Sequence, residues 1–181
     1  GTAAAVAANM GLIGLGSDTG NSIRGPSSHQ ALVGIRSTQG LTSRAGIMPL
    51  FAHRDIGGPM GRTVEDVVRV FDVIAGSDPA DAVTAEADAR RPASYLTALK
   101  TDLTGVRIGV VKQIAYKQSA DVEILARFGE AIRDLERLGA TVVRDFEIAD
   151  LAELRRGTGC SRFRYDIENY LAAIPDPPVR T

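Results

Sequence analysis

Apolar positions fall into two textures along the chain. Before residue 76 they come in short runs broken by glycine and serine, and beyond residue 105 they follow regular periods. Residues 2–10, TAAAVAANM, are Ala-rich and uncharged, which predicts a buried helix ended by Gly11. Residues 12–17, LIGLGS, read as a short apolar strand of the kind found inside parallel sheets. The next stretch predicts a loop at 18–21, a short helix over 22–31 with Pro26 in its first turn, and a strand near 32–36. From Ser37 to Met60 the punctuation by Gly40, Gly46, Pro49, Gly57, Gly58 and Pro59 predicts a winding segment without regular elements. A clear helix start follows. Thr63 is the expected N-cap, with Asp66 three residues on. Val64, Val67, Val68, Phe71, Ile74 and Ala75 form the apolar face, and Gly76 is the stop.

Residues 77–93, rich in Asp, Ala and Pro, read as a surface connection and the best internal linker. Beyond it, 106–111 predicts a strand and Asp121–Leu138 an amphipathic helix, with Ile124, Leu125, Phe128, Ile132 and Leu135 on one stripe. Gly139 caps that helix, and 140–146 returns as a strand. This is one strand–helix–strand unit, the building block of a parallel or mixed sheet. Residues 151–172 read as helical. The fold class expected is α/β, a mixed sheet flanked by helices.

Composition narrows the function. The 181 residues carry 21 Lys+Arg against 22 Asp+Glu, a formal charge of −1, so no nucleic-acid partner is expected. Arg155, Arg156, Arg162 and Arg164 form a mild basic patch with acidic residues interleaved. A single cysteine, Cys160, excludes a disulfide scaffold and a thiolate metal cluster, and reads as an incidental thiol. His29 and His53 alone leave little material for a zinc site. No run approaches membrane-spanning length and no signal peptide shows, which points to the cytoplasm. Only Lys100, Lys112 and Lys117 are lysines.

Chemistry concentrates in the Gly/Ser segment 11–28, where three readings compete. Gly14, Gly16 and Gly20 follow a strand, but their spacing is one residue off a dinucleotide fingerprint. Ser22 on a strand-to-helix turn resembles a nucleophile elbow, again one residue off, with backbone N–H groups available for an oxyanion. Alternatively, the small residues serve packing and Ser22 is an N-cap. A nucleophilic serine needs a base. His29 lies seven residues on along the same helix and His53 lies in a loop, so a histidine triad is poorly supported.

The run GTAAAVAANMGLIGLGSDTGNSIRGPSSHQALVGIRSTQGLTSRAGIMPL, continued by Gly58-Pro59-Met60 and Arg62-Thr63-Val64, closely resembles the amidase signature family. The likeness is strong over 1–76 and looser over 77–181, so the chain is expected to be the central fragment of one amidase-signature domain. The resemblance implies hydrolysis of carboxylic amides by a Ser–cis-Ser–Lys triad, with no metal or organic cofactor and a small-molecule amide as substrate. It makes Ser22 the nucleophile and places the oxyanion hole at Thr19, Gly20 and Asn21, with the N–H of Ser22 itself. Arg24 and Asp18 match the motif's arginine and aspartate, as loop support or substrate contact.

Two departures from the family pattern bear on function. The position before the nucleophile is commonly Gly and is Asn21 here; Asn is the next most tolerant of positive φ. The family's cis-serine and lysine belong to segments expected upstream of Gly1, and the three lysines present all follow the nucleophile. The chain is therefore expected to lack its base and to be inactive alone. The wider function is an amidase or, alternatively, the amidase subunit of a tRNA-dependent amidotransferase. A non-catalytic phosphate- or nucleotide-binding α/β domain is the reading from another class.

Overall fold

The computed structural model describes residues 1–156, 161–177 and 179. Two compact units divide the chain: Gly1–Leu99 with Cys160–Thr181, and Lys100–Gly159.

The first unit is built on a three-stranded sheet. Helix α1 (Thr2–Ala7) precedes β1 (Ile13–Asp18), followed by α2 (Arg24–His29), β2 (Val33–Gly34) and β3 (Ile56–Gly61). The strand order is β1-β3-β2, and β3 is antiparallel to both neighbours. The expectation of a parallel-sheet interior for β1 is thus corrected. Its partner is antiparallel, and Leu15 on one face is 57% exposed. The other face explains the glycines. A Cβ on Gly14 would lie 2.3 Å from Thr2 Cγ2 of α1, and one on Gly16 would lie 2.7 Å from Met60 Cε. Both positions stay bare so that α1 and β3 can close on the strand. Helix α1 buries only Ala3 and Val6, and it ends at Ala7, before Asn9 with its φ of 59°.

β3 is a second correction, because the Gly-Gly-Pro run was expected to be irregular. All six of its residues are buried. A Cβ at Gly58 would lie 2.1 Å from the carbonyl oxygen of Ile35, so the small residues mark close approach rather than a turn. Ala3, Ile23 and Met60 form a buried cluster, with Leu32 packed against it.

Helix α3 (Val64–Ile74) follows the predicted pattern except at Val64, which lies in the first turn and is 52% exposed. Thr63 Oγ1 accepts from the Asp66 N–H at 3.1 Å, and Val67, Val68 and Phe71 are buried. Replacing Thr63 by alanine is expected to cost about 1 kcal/mol, read from the urea midpoint. Residues 77–93 are not a bare surface connection. They hold a 3₁₀ turn (Ala82–Thr84) and α4 (Ala87–Arg90), and they bury Asp81, Thr84 and Ala87. The boundary between the units falls at Leu99/Lys100, after a second 3₁₀ turn (Tyr95–Ala98). The last helix of this unit is α8 (Phe163–Ala172).

The second unit contains the strand–helix–strand motif. β4 (Arg107–Val111) pairs in parallel with β5 (Thr141–Phe146), and a register shift falls between Gly109 and Val111. After the short α5 (Lys112–Ala115), α6 (Val122–Arg137) is capped by Asp121, whose carboxylate accepts from Glu123 and Ile124 N–H. Ile132 is buried, but Ile124 is 66% exposed and stands outside the packed stripe. The helical reading of 151–172 divides into α7 (Leu151–Leu154) and α8, and Cys160 lies outside the described residues. Among the described residues no helix is long and apolar enough to cross a membrane.

Candidate active site

Two buried pins hold the loop that carries Ser22. β1 ends on Asp18 and the helical turn begins at Ile23, and neither is exposed to solvent. Between them Thr19 is half-buried, while Gly20, Asn21 and Ser22 are exposed. Ile23 sits in the core cluster, so the hydrophobic residue after Ser22 anchors the turn.

Asp18 supplies the helix start with its acceptor. Its Oδ2 accepts the N–H groups of Ile23 at 3.1 Å and Arg24 at 3.4 Å, and Arg24 Nε at 3.2 Å. Its Oδ1 accepts Arg36 Nη1 at 3.1 Å. Burial alone pushes the Asp18 carboxyl up. The Arg24 side chain, the two backbone N–H groups and the Arg24 charge outweigh it and hold the group below its ordinary value. Ile23 occupies the cap position, so Ser22 is not the N-cap of α2. The Ile23 and Arg24 N–H groups at this helix start are already spent on the Asp18 carboxylate, and packing accounts for Gly14 and Gly16. Two of the three glycines of the dinucleotide reading thus have a packing role.

Three carbonyls at the loop are held by donors. Arg36 Nη1 donates to the Asp18 carbonyl, Arg24 Nη2 to the Gly20 carbonyl at 2.6 Å, and the Gly25 N–H to the Asn21 carbonyl at 2.8 Å. In a planar trans peptide the N–H points opposite to the C=O. The N–H groups of Thr19, Asn21 and Ser22 are therefore directed away from these donors. Among the described residues, none of them, nor the Gly20 N–H, donates to a protein acceptor. Such a set of fixed, unspent donors beside a hydroxyl can receive a developing negative charge.

Asn21 does not use positive φ; its backbone and that of Gly20 are outside that region. What Asn21 needs is room. A Cβ at Gly25 would lie 2.5 Å from Asn21 Nδ2, so the glycine one helical turn on accommodates its amide.

Three residues at the site escaped sequence reasoning: Ile23 as a core pin, Arg36 and Asp55. Arg36 also donates through Nη2 to the Arg54 carbonyl at 2.9 Å. Asp55, 3% exposed, accepts the Thr19 hydroxyl on Oδ1 and the N–H groups of Leu50 (2.8 Å) and Phe51 (3.0 Å) on Oδ2. Asp55 also lines a cavity of about 560 Å³, with Arg44, Asp81, Asp166, Asn169 and Tyr170 in its wall. There Arg44 grips Asp81 with two prongs, Nε at 2.9 Å and Nη2 at 2.6 Å. That pairing raises the Arg44 guanidinium and lowers the Asp81 carboxyl.

The histidines stand apart from this arrangement. His29 is exposed in the last turn of α2, and His53 packs edge-on against Phe51 with ring centroids 5.9 Å apart. All three lysines belong to the second unit, where Lys112 pairs with Glu147 at 3.4 Å as a surface charge. Of the arginine patch, Arg162 pairs with Asp166 and Arg164 with Glu168.

The α/β scaffold thus presents a hydroxyl-bearing turn lined by backbone donors between β1 and α2. The sequence matches the Amidase family over residues 1–173, and the chain belongs to that family. It is 46% identical over 142 residues to a glutamyl-tRNA(Gln) amidotransferase subunit from Symbiobacterium thermophilum, covering 78% of this chain and 28% of that protein. Among solved structures, an amidase family protein from Bacillus anthracis superposes with a TM-score of 0.85 at 27% identity, covering 99% of this chain and 35% of that one. The native peptide amidase of Stenotrophomonas maltophilia gives 0.80 at 30% identity, covering 99% and 37%. The chain spans about a third of the length of the curated relatives it matches.

Proposed function

We propose that Ser22 is the nucleophile of a serine amidase acting on small carboxylic amides through an acyl-enzyme. Ser22 Oγ adds to the amide carbonyl, and the oxygen's developing charge is received by the N–H groups of Thr19, Gly20, Asn21 and Ser22. The C–N bond breaks, ammonia or an amine leaves with a proton, and water hydrolyses the ester to free Ser22 and release the acid. Asp18 and Arg24 hold the loop rather than take part in the chemistry. The observation that supports this reading most is the set of three pinned carbonyls, which turns the N–H groups of Thr19, Asn21 and Ser22 away from those donors in the loop that carries Ser22.

The proton acceptor in this reading is a lysine acting through a cis-serine, both carried by family segments upstream of Ser22. None of this chain's lysines precedes Ser22. The 181-residue chain by itself is therefore expected to show no turnover. Measurable hydrolysis by this chain, abolished by Ser22→Ala, would overturn that account of the base. The nucleophile is tested on the full-length gene product with a fluorophosphonate or sulfonyl fluoride. Covalent labelling that disappears in Ser22→Ala supports the proposal, and labelling that persists overturns it.

A second reading is favoured by the amidotransferase relative at 46% identity: an amidase component that passes ammonia to a partner. Asn21 and the G-P-S-S-H continuation favour the free-standing hydrolase, because they depart from the usual G-G-S-I-R-x-P-A. Release of free ammonia without any partner protein separates the two.

A further inference from the structure

We propose that Asp55 is a positioning residue for Ser22, fixing the oxyanion loop from the turn that precedes β3. The inference rests on the amidase reading of Ser22 and adds a residue that acts through Thr19.

The turn is itself tightly held. The N–H groups of Arg54 and Asp55 donate to the Phe51 carbonyl at 2.7 and 2.9 Å. Asp55 Oδ2 closes the same turn by accepting the N–H groups of Leu50 and Phe51. Asp166, on α8, accepts the Ala52 N–H at 3.2 Å and so ties the turn to a helix far along the chain. Residue 55 is also the last before β3, whose Ile56 faces Asp18 in the sheet register. The Asp55 carboxylate is therefore fixed before it meets the loop.

From that position it grips the loop where orientation matters. Its Oδ1 takes the hydroxyl of Thr19, the first loop residue after β1 and one of the candidate oxyanion donors. Arg36 makes a second tie from the same turn, bridging the Arg54 carbonyl to the Asp18 carbonyl, whose peptide carries the Thr19 N–H. The Thr19 peptide and side chain are thus held by successive residues of one turn. A hydroxyl bonded only for packing needs no acceptor that is itself buried and twice bonded.

The test uses the full-length gene product and three variants: Thr19→Val, which removes the hydroxyl but keeps the branched shape, Thr19→Ser, which restores the hydroxyl, and Asp55→Asn. The expected result is a fall in kcat of about 10- to 100-fold for Thr19→Val and Asp55→Asn, with KM changed less than about threefold. Thr19→Ser regains most of the loss, and amide hydrogen exchange over residues 19–24 quickens in Thr19→Val. If Asp55→Asn fails to fold, the Thr19 pair carries the test alone. Thr19→Val with kcat within about twofold of the parent and unchanged exchange overturns the role, as does an equal loss in Thr19→Ser. A parent whose Ser22 neither reacts with a fluorophosphonate nor hydrolyses amides overturns the amidase reading and this role with it. A reactive parent with unaffected variants overturns the role alone.

Discussion

Replacing Ser22 by alanine in the full-length gene product is expected to lower kcat/KM for amide hydrolysis by at least about four orders of magnitude. The size follows from the chemistry assigned to one atom. Without Oγ there is no acyl-enzyme, and what survives is the stabilisation that the loop's N–H groups give to direct attack by water. That remnant of activity should be indifferent to fluorophosphonate. Folding should be untouched, because Ser22 is exposed and caps no helix. Steady-state kinetics beside a urea titration checks both halves. A variant that keeps more than about a tenth of the parent rate would sink Ser22 as nucleophile.

Asp18→Ala is expected to be the most destabilising single change at the site, by about 3–5 kcal/mol. The carboxylate is wholly buried and satisfies two backbone N–H groups and two guanidinium groups at once. The Arg36 side chain is only 21% exposed and loses its charged partner. The Arg24 side chain is 49% exposed, so solvent replaces much of its share. The same carboxyl makes stability depend on pH. Its folded-state value lies below the ordinary one, so its contribution is complete above about pH 4 and is lost as pH falls through the folded value. Urea midpoints of parent and Asp18→Ala should converge on acidification. A gap that stays constant from pH 7 to pH 2.5 would count against the buried pair.

The parts of the fold that were legible in the sequence are those whose signals are local. Thr63 with Asp66 marks a helix start by capping chemistry alone, and that cap forms. The strand–helix–strand unit was legible because its apolar periods switch cleanly. β3 was not, because Gly57, Gly58 and Pro59 look like turn residues until the carbonyl of Ile35 stands against Gly58. The same limit applied to the site. Asp18, Thr19, Gly20, Asn21, Ser22 and Arg24 are contiguous and carry a family motif, so they could be read together. Arg36 and Asp55 lie 14 and 33 residues beyond Ser22, and only β3 pairing with both β1 and β2 gathers that stretch of chain at the loop. Residues 77–93 misled in the opposite sense: polar composition suggested solvent, whereas Asp81 is buried against Arg44.

The contact between Asn21 and Gly25 links the residue before Ser22 to the glycine one helical turn on. The volume that a Cβ would fill at 25 is already taken by the amide of residue 21. A side chain at 25 would therefore require the Asn21 amide to swing out of its present seat. The bare position at 25 thus sets where the Asn21 amide lies beside Ser22.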